Sequence, residues 1–92
     1  MPAITIEIPR QLRLHTGGNR QLTVEACTLR EALASLRTRL PALGAQIVTA
    51  EHQPYDYVGL FVNGMRVADA AALDAILHQG DRVAIVPSMA GG

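Results

Sequence analysis

Residues 28–40, TLREALASLRTRL, carry the clearest helical signal in the chain. Thr28 and Glu31 have the spacing of a capping box, in which the threonine hydroxyl accepts from the Glu31 amide and the glutamate reaches back. Leucines then recur every third or fourth residue, which places them along one face of a helix. They are Leu29, Leu33, Leu36 and Leu40. Because Pro41 ends the pattern, it predicts one amphipathic helix that covers a sheet.

Two strands are predicted before this helix. Residues 3–8 alternate between apolar and polar side chains, as in a strand with one buried face, until Pro9 interrupts them. Residues 12–15 are expected to continue the extended path to a turn at residues 16–19, where glycines supply positive φ angles. Residues 21–25 then return as a second strand. The N-terminal part therefore predicts a β-hairpin.

A second hairpin is predicted after the helix. Residues 41–49 are expected to add a short helical turn before a polar loop over residues 50–56. Residues 57–62 form an apolar run, and the Asn63-Gly64 pair that follows is the strongest short-range signal for a β-hairpin. Residues 65–67 would then pair back against the run.

The last part of the chain predicts a short helix and a final strand. Asp69 is suited to cap a helix over residues 69–77, and residues 79–81 are expected to turn the chain. Residues 82–86 form an apolar run without full alternation, which favours a central position in the sheet. The final strand would then have a neighbour on each side.

This order of elements predicts an α+β fold of the β-grasp type, a mixed sheet with one main helix packed across it. The apolar periodicity lies within residues 3–86. We therefore expect residues 1–86 to form a single β-grasp domain and residues 87–92 to form a flexible C-terminal tail.

Composition excludes several classes of function. The 92 residues include eight basic and eight acidic side chains, so no basic field is present to attract nucleic acid. Cys27 is the only cysteine, which excludes an internal disulfide. No apolar stretch resembles a signal peptide or a membrane span, so we expect a cytoplasmic protein without a membrane partner. All the basic residues are arginines, so the side chains cannot accept an isopeptide bond.

The last six residues, Pro87-Ser88-Met89-Ala90-Gly91-Gly92, suggest a chemistry. Glycine has no side chain, so a Gly-Gly end can enter a slot that excludes bulkier residues. A terminal carboxylate is ionised at neutral pH and is a poor electrophile, whereas a partner that adenylates it would make a reactive acyl group. Pro87 lacks an N–H and is expected to end strand pairing, so that the tail leaves the sheet. A frayed tail without function is the alternative.

These features together resemble the ubiquitin-like sulfur-carrier family. The resemblance covers the whole chain and rests on the strand order, Asn63-Gly64, Gly80-Asp81-Arg82-Val83 and the proline followed by Ala90-Gly91-Gly92. Members include the small subunit of molybdopterin synthase, the thiamine-pathway carrier and a carrier that serves a cysteine synthase. The last group is the most similar, because it shares the look of residues 12–18.

The resemblance implies a protein co-substrate and not an enzyme. An E1-like adenylating and sulfur-transferring partner would use ATP on the C-terminal carboxylate, and sulfur would then replace AMP to give a thiocarboxylate. The sulfur would attack an acceptor on a second enzyme, which in the cysteine branch is a PLP-dependent cysteine synthase, and a metalloprotease would release the product. The chain itself is expected to bind no cofactor and no metal.

The same resemblance assigns roles to the tail. Gly92 would bear the reacting carboxyl, while Gly91 and Ala90 would keep the end slim inside the partner and Met89 would contact it as well. Phe61 points opposite to its apolar neighbours in the run 57–62, so it is expected on the outer sheet face. There it would either contact a partner or be covered by the preceding loop.

Other candidate residues have simpler interpretations. Cys27 precedes a helix start, where a thiolate would be stabilised, but burial as a small apolar side chain is favoured over a sulfur relay. His15, His52 and His78 are too widely spread to predict a metal site.

Three other functions stay open from the sequence. The first is the small subunit of a molybdopterin synthase, and the second is a ubiquitin-like modifier joined to lysines of other proteins. The third is a β-grasp interaction domain with an idle tail.

Overall fold

The computed structural model describes residues 1–51 and 53–87, which form a sheet with helices against one face. The strands are β1 (Ala3–Glu7), β2 (Gln21–Glu25), β3 (Val58–Val62), β4 (Met65–Arg66) and β5 (Arg82–Pro87). The helices are α1 (Leu29–Arg39), α2 (Pro41–Ile47) and two 3-10 helices at Arg10–Thr16 and Ala70–Asp74. The strand order is β2-β1-β5-β3-β4, so β5 lies at the centre of the sheet.

The central strand makes the sheet mixed. β5 pairs in parallel with β1, where Thr5 lies opposite Arg82, and antiparallel with β3, where Leu60 lies opposite Ile85. The predicted central position of the last strand is confirmed. The α+β β-grasp prediction is confirmed as well, because α1 packs across one face of this sheet.

Helix α1 begins at the predicted capping box. The Thr28 hydroxyl oxygen accepts from the Glu31 amide at 3.2 Å, and the Glu31 carboxylate accepts from the Cys27 amide at 2.9 Å. The glutamate therefore reaches one residue further back than in the standard box. The stripe residues Leu29, Leu33 and Leu36 are buried against the inner sheet face, and Leu40 is half-buried at the helix end. Each buried leucine stabilises the fold by about 1.5–3 kcal/mol.

Helix α2 packs against α1 through a glycine. It starts with Pro41 and buries Leu43 and Ile47, as predicted for a short helical turn after Pro41. A Cβ atom built on Gly44 would lie 2.4 Å from the Arg37 Cα atom, a distance that atoms do not tolerate. Gly44 therefore allows the close approach of the two helices.

Residues 12–15 were expected to be extended, and this prediction is wrong, because they lie in the 3-10 helix Arg10–Thr16. Pro9 precedes the helix with ψ 153°, and its carbonyl accepts from the Leu12 amide at 3.0 Å. The alternation of leucine with polar residues in this segment indicated a strand, but Leu14 is exposed. The predicted glycine turn that follows is confirmed by positive φ angles at residues 17 and 18.

The helix predicted over residues 69–77 is shorter than expected. It is the 3-10 helix Ala70–Asp74, and the Asp69 side chain caps it as predicted. Beyond it, the Leu77 amide donates to the Cys27 carbonyl at 2.8 Å. This contact with the start of α1 draws the chain out of helical geometry.

The second hairpin forms as predicted. Asn63 and Gly64 have φ angles of 51° and 85°, so both central turn residues are left-handed, as a tight hairpin with this residue pair requires. Strand β4 has only two residues, although the Val67 amide still donates to the Leu60 carbonyl at 2.8 Å.

The contact at Gly44 yields a test of the helix pair. Gly44→Ala should lower the free energy of unfolding by about 1–3 kcal/mol, because the new methyl group forces α2 away from α1. Urea unfolding measures the change. Gln46→Ala alters an exposed residue of the same helix and should stay within about 0.5 kcal/mol of the parent. If Gly44→Ala has the same free energy of unfolding as the parent, the packing of α2 against α1 does not depend on this close approach.

Candidate functional site

The root of the tail is the C-terminal end of β5. On the β3 side, pairing extends to Pro87, which lies opposite Val58. On the β1 side, the register ends where Glu7 lies opposite Ala84. Pro87 is thus the last residue of β5, and one ladder includes it while the other stops before it. At this end of the sheet β1 ends and β3 begins.

The outer face of the sheet, which α1 and α2 do not cover, carries an apolar strip. The register sets Gly59 opposite Val86 and Phe61 opposite Ala84 on this face, and we call these four residues the outer strip. Val86 is 48% exposed and directly precedes Pro87. The outer strip therefore runs along the two central strands to the root of the tail.

Gly59 explains how the aromatic ring of the outer strip is held. A Cβ atom on Gly59 would lie 3.7 Å from the Phe61 Cε1 atom, so the ring lies over the glycine of its own strand. Phe61 is half-buried in this position. The predicted placement on the outer face is confirmed, and part of the ring's burial comes from Gly59.

Charged residues lie beside the outer strip on the neighbouring strands. The Arg82 guanidinium bonds the Glu7 carboxylate at 2.8 Å, and both side chains are about half exposed. Arg66 lies opposite Phe61 on the short strand β4. An exposed pair of this kind adds about 0–1 kcal/mol to stability. Its main effect is to set a charged border beside the apolar strip.

Three residues at the far end of β5 form what we call the turn latch: Asp81, Asn63 and His78. The Asp81 carboxylate accepts from the Asn63 side-chain amide at 3.0 Å and from the His78 backbone amide at 2.8 Å. These two hydrogen bonds hold the pKa of the Asp81 carboxyl below its usual range, and the bond from Asn63 has the larger effect. The turn latch ties the second hairpin to the turn before β5, and therefore fixes where β5 begins.

The predicted site residues fall into two groups. Phe61 is on the outer face with Gly59, Ala84 and Val86, three neighbours that the sequence analysis did not single out. Only the strand register brings these four together. The predicted tail residues Met89, Ala90, Gly91 and Gly92 lie outside the described residues, so their roles stay predictions.

The described residues among those set aside from the sequence are Cys27, His15 and His78. Cys27 is half-buried, and both its backbone groups are bonded within the fold. His15 is half-buried and His78 is exposed, while His52 lies outside the described residues. Within residues 1–51 and 53–87, no three His, Cys, Asp or Glu side chains come together as metal ligands. In the same part of the chain, no helix has the length and apolar character needed to cross a membrane.

Comparison with known proteins agrees with this geometry. The model of the ThiS family matches residues 6–92, which is nearly the whole chain and includes β5 and the Gly-Gly end. The chain belongs to the ThiS family. Its relatives are small carrier proteins and not catalysts, so the expectation of a non-enzymatic protein is confirmed at that level.

Individual relatives support a ubiquitin-like sulfur carrier. The chain is 28% identical over 91 residues to the sulfur carrier protein CysO of Mycobacterium tuberculosis, covering 97% of this chain and 98% of the relative. In the crystal structure of the Amycolatopsis orientalis BexX/CysO complex, one chain is 30% identical, with a TM-score of 0.83 and coverage of 97% and 99%. Small archaeal modifier protein 1 of Haloferax volcanii is 25% identical, with a TM-score of 0.79 and coverage of 98% and 99%.

The lowered pKa of Asp81 yields a prediction for stability against pH. Since the folded-state pKa is lower than the unfolded one, the carboxylate stabilises the fold above the unfolded pKa of about 3.9. This stabilisation is lost as the pH falls through the folded pKa. Asp81→Ala should cost about 1–3 kcal/mol at pH 7, and its difference from the parent should shrink as the pH falls from about 5 to 2.

Urea unfolding over this pH range measures the difference. Asp56→Ala removes an exposed carboxylate and should cost less than about 0.5 kcal/mol at every pH. A cost at Asp81 that stays constant down to pH 2 would show that the turn latch does not depend on the ionised carboxylate.

Proposed function

We propose that the chain is a sulfur carrier whose Gly92 carboxylate is adenylated by an E1-like enzyme and converted to a thiocarboxylate. One observation carries the proposal: β5, the central strand of a ThiS-family fold, ends at Pro87 with the outer strip beside it. Five residues ending in Gly-Gly follow. Fully extended, they span about 17 Å, which is enough to enter a recessed site on a partner.

The chemistry explains why a partner is needed. A carboxylate resists nucleophiles because it is already negative, whereas its mixed anhydride with AMP has a good leaving group. ATP would supply the adenylyl group and release pyrophosphate. A sulfide-level donor would then form the C–S bond, AMP would depart with the electron pair of the C–O bond, and a thiocarboxylate would result. ATP would bind to the partner, and this chain would bind no cofactor.

Each part of the carrier has a role in this scheme. The folded core, proposed to comprise residues 1–86, supplies the docking surface, and residues 87–92 supply the reach. Gly92 presents the carboxyl, and the small residues Gly91 and Ala90 pass through the narrow part of the partner site with Met89 behind them. The outer strip is the proposed docking surface for the E1-like enzyme, because it is apolar, open and next to the root of the tail.

We further propose that the acceptor enzyme makes cysteine or a related sulfur metabolite. The support is the similarity of 28% to 30% to the carriers named CysO. The thiocarboxylate would attack a serine-derived electrophile held by a PLP-dependent cysteine synthase, and a metalloprotease would cut the product from the carrier. We expect the protein and these partners to act in the cytoplasm.

A ubiquitin-like modifier is the second candidate. The likeness to the small archaeal modifier protein of Haloferax volcanii favours this candidate, because the match covers nearly the full length of both chains. In that case the activated Gly92 would be joined to lysine amines of other proteins. Tryptic digests of cell extract would then contain lysines that carry residues 83–92, since Arg82 is the last basic residue, whereas a carrier used only for sulfur transfer would leave no such isopeptide remnant.

The carrier proposal predicts a change in mass. With its E1-like enzyme, ATP and a sulfide-level donor, the intact chain should gain about 16 Da as sulfur replaces oxygen on the activated carboxyl. Gly92→Phe should abolish this gain, because its side chain cannot enter the adenylating site. Mass spectrometry of the intact protein measures both.

The matched control is Ala90→Gly, which keeps the tail slim and should still gain the mass. The thermal midpoint of the Gly92 variant should lie within about 4 °C of the parent, which corresponds to less than about 1 kcal/mol. Normal thiocarboxylate formation by Gly92→Phe would refute the requirement for a glycine at the end of the chain. A parent protein that gains no mass would refute the carrier proposal and leave a plain interaction domain with an idle tail.

The docking surface has its own test. Phe61→Thr keeps a strand-forming residue but removes the ring, and should raise the KM for the carrier in adenylation about tenfold at unchanged kcat. Ile76→Thr removes an apolar side chain that is 65% exposed but lies off the outer face, so its KM should not change. Equal KM values for both variants would show that the docking surface lies elsewhere on the protein.

A further inference from the structure

The parallel pairing of β1 with β5 stops at a defined position, and the directions of the backbone hydrogen bonds show why. The Asp81 carbonyl accepts from the Thr5 amide at 3.0 Å, while the Arg82 carbonyl accepts from the Asn63 amide at 2.8 Å. Backbone groups of successive strand residues point to opposite edges. The backbone groups of Ile85 and Pro87 therefore face the β1 side of the sheet.

At the next step of this pairing, both nitrogens that would have to donate a hydrogen bond belong to prolines. The register sets Glu7 opposite Ala84, so its continuation would set Pro9 opposite Val86. In a parallel ladder this rung would need a bond from the nitrogen of residue 9 to the Ile85 carbonyl. It would also need a bond from the nitrogen of residue 87 to the carbonyl of residue 9. Proline has no N–H, so both donors of this rung are missing.

The end of β1 is fixed in this arrangement. The Ile8 amide donates to the Arg20 carbonyl at 2.9 Å, and the Ile8 carbonyl accepts from the Arg13 side chain at 3.1 Å. The Pro9 carbonyl accepts from the Leu12 amide in the first 3-10 helix. The chain therefore leaves the sheet at Pro9 and does not continue beside β5.

A recess of about 270 Å³ lies where β1 has left. Its lining includes both prolines together with Gln11 and Ile85, so the two prolines border the same recess. Pro87 still lies opposite Val58 of β3, but this pair exchanges no backbone hydrogen bonds, because the backbone groups of Pro87 face the β1 side. On that side Pro87 has no N–H to donate.

We propose that Pro9 and Pro87 are positioning residues for the tail, because together they leave this rung unmade and fix the point at which the chain departs from the sheet. The inference rests on the proposed function. The restored rung would bond residue 87, which is already the last residue of β5, to residue 9 and would hold the start of the tail in one direction. The carboxyl of Gly92 would then be directed away from the α-phosphate in the partner. Such misplacement reduces the rate of reaction more than it reduces binding.

The test uses the double variant Pro9→Ala/Pro87→Ala, which supplies both missing donors. Its two new amides should be protected from hydrogen exchange at least about tenfold over those of an unfolded chain, because they pair across the restored rung. The kcat of thiocarboxylate formation should fall about ten- to a hundredfold while the KM changes less than about twofold. The thermal midpoint should not fall, which separates positioning from loss of fold.

Two further variants complete the test. Pro87→Ala alone supplies one donor and should show a smaller loss of kcat, and Pro41→Ala changes an exposed proline of α2 and should leave kcat unchanged. Unprotected new amides, or a double variant that reacts as fast as a reactive parent, would overturn the positioning role alone. A parent protein that forms no thiocarboxylate would overturn the proposed function and this role with it.

Discussion

The pairing of β5 with a strand on each side is the interaction on which the rest of the structure depends. β5 bonds in parallel to the first strand of the chain and antiparallel to the strand of the second hairpin. Removing it would leave two separate hairpins, and an isolated pair of strands is at best marginally stable in water. The inner face that β5 completes is the surface on which the leucines of α1 are buried. The apolar core and the sheet therefore depend on each other.

The features that local sequence determines could be predicted. The capping box at Thr28, the leucine stripe and the Asn63-Gly64 turn each arise from contacts within a few residues, and each has the expected geometry. The central position of β5 was also predictable, because an apolar run without full alternation suits a strand with neighbours on both sides.

The features that depend on distant contacts were missed. Residues 12–15 alternate like a strand, yet the chain must cross from the end of β1 to the start of β2 and does so as a 3-10 helix. The helix over residues 69–77 is cut short by a bond from Leu77 to Cys27, fifty residues earlier in the chain. The outer strip of the candidate site needs the register of β3 against β5, which no local pattern encodes. Phe61 alone was visible, because its position in the run sets its face.

The parallel pairing of β1 with β5 has a practical consequence for fusion proteins. The Gly80 amide donates to the Ala3 carbonyl, so the beginning of β1 lies level with the beginning of β5. At about 3.3 Å per residue, Ala3 is separated from Pro87 by about 23 Å along the sheet. An affinity tag or a fluorescent domain attached ahead of Met1 would therefore lie at one end of the strands, whereas residue 87 lies at the opposite end. Such a label could be used to follow the protein without crowding the end that is proposed to react.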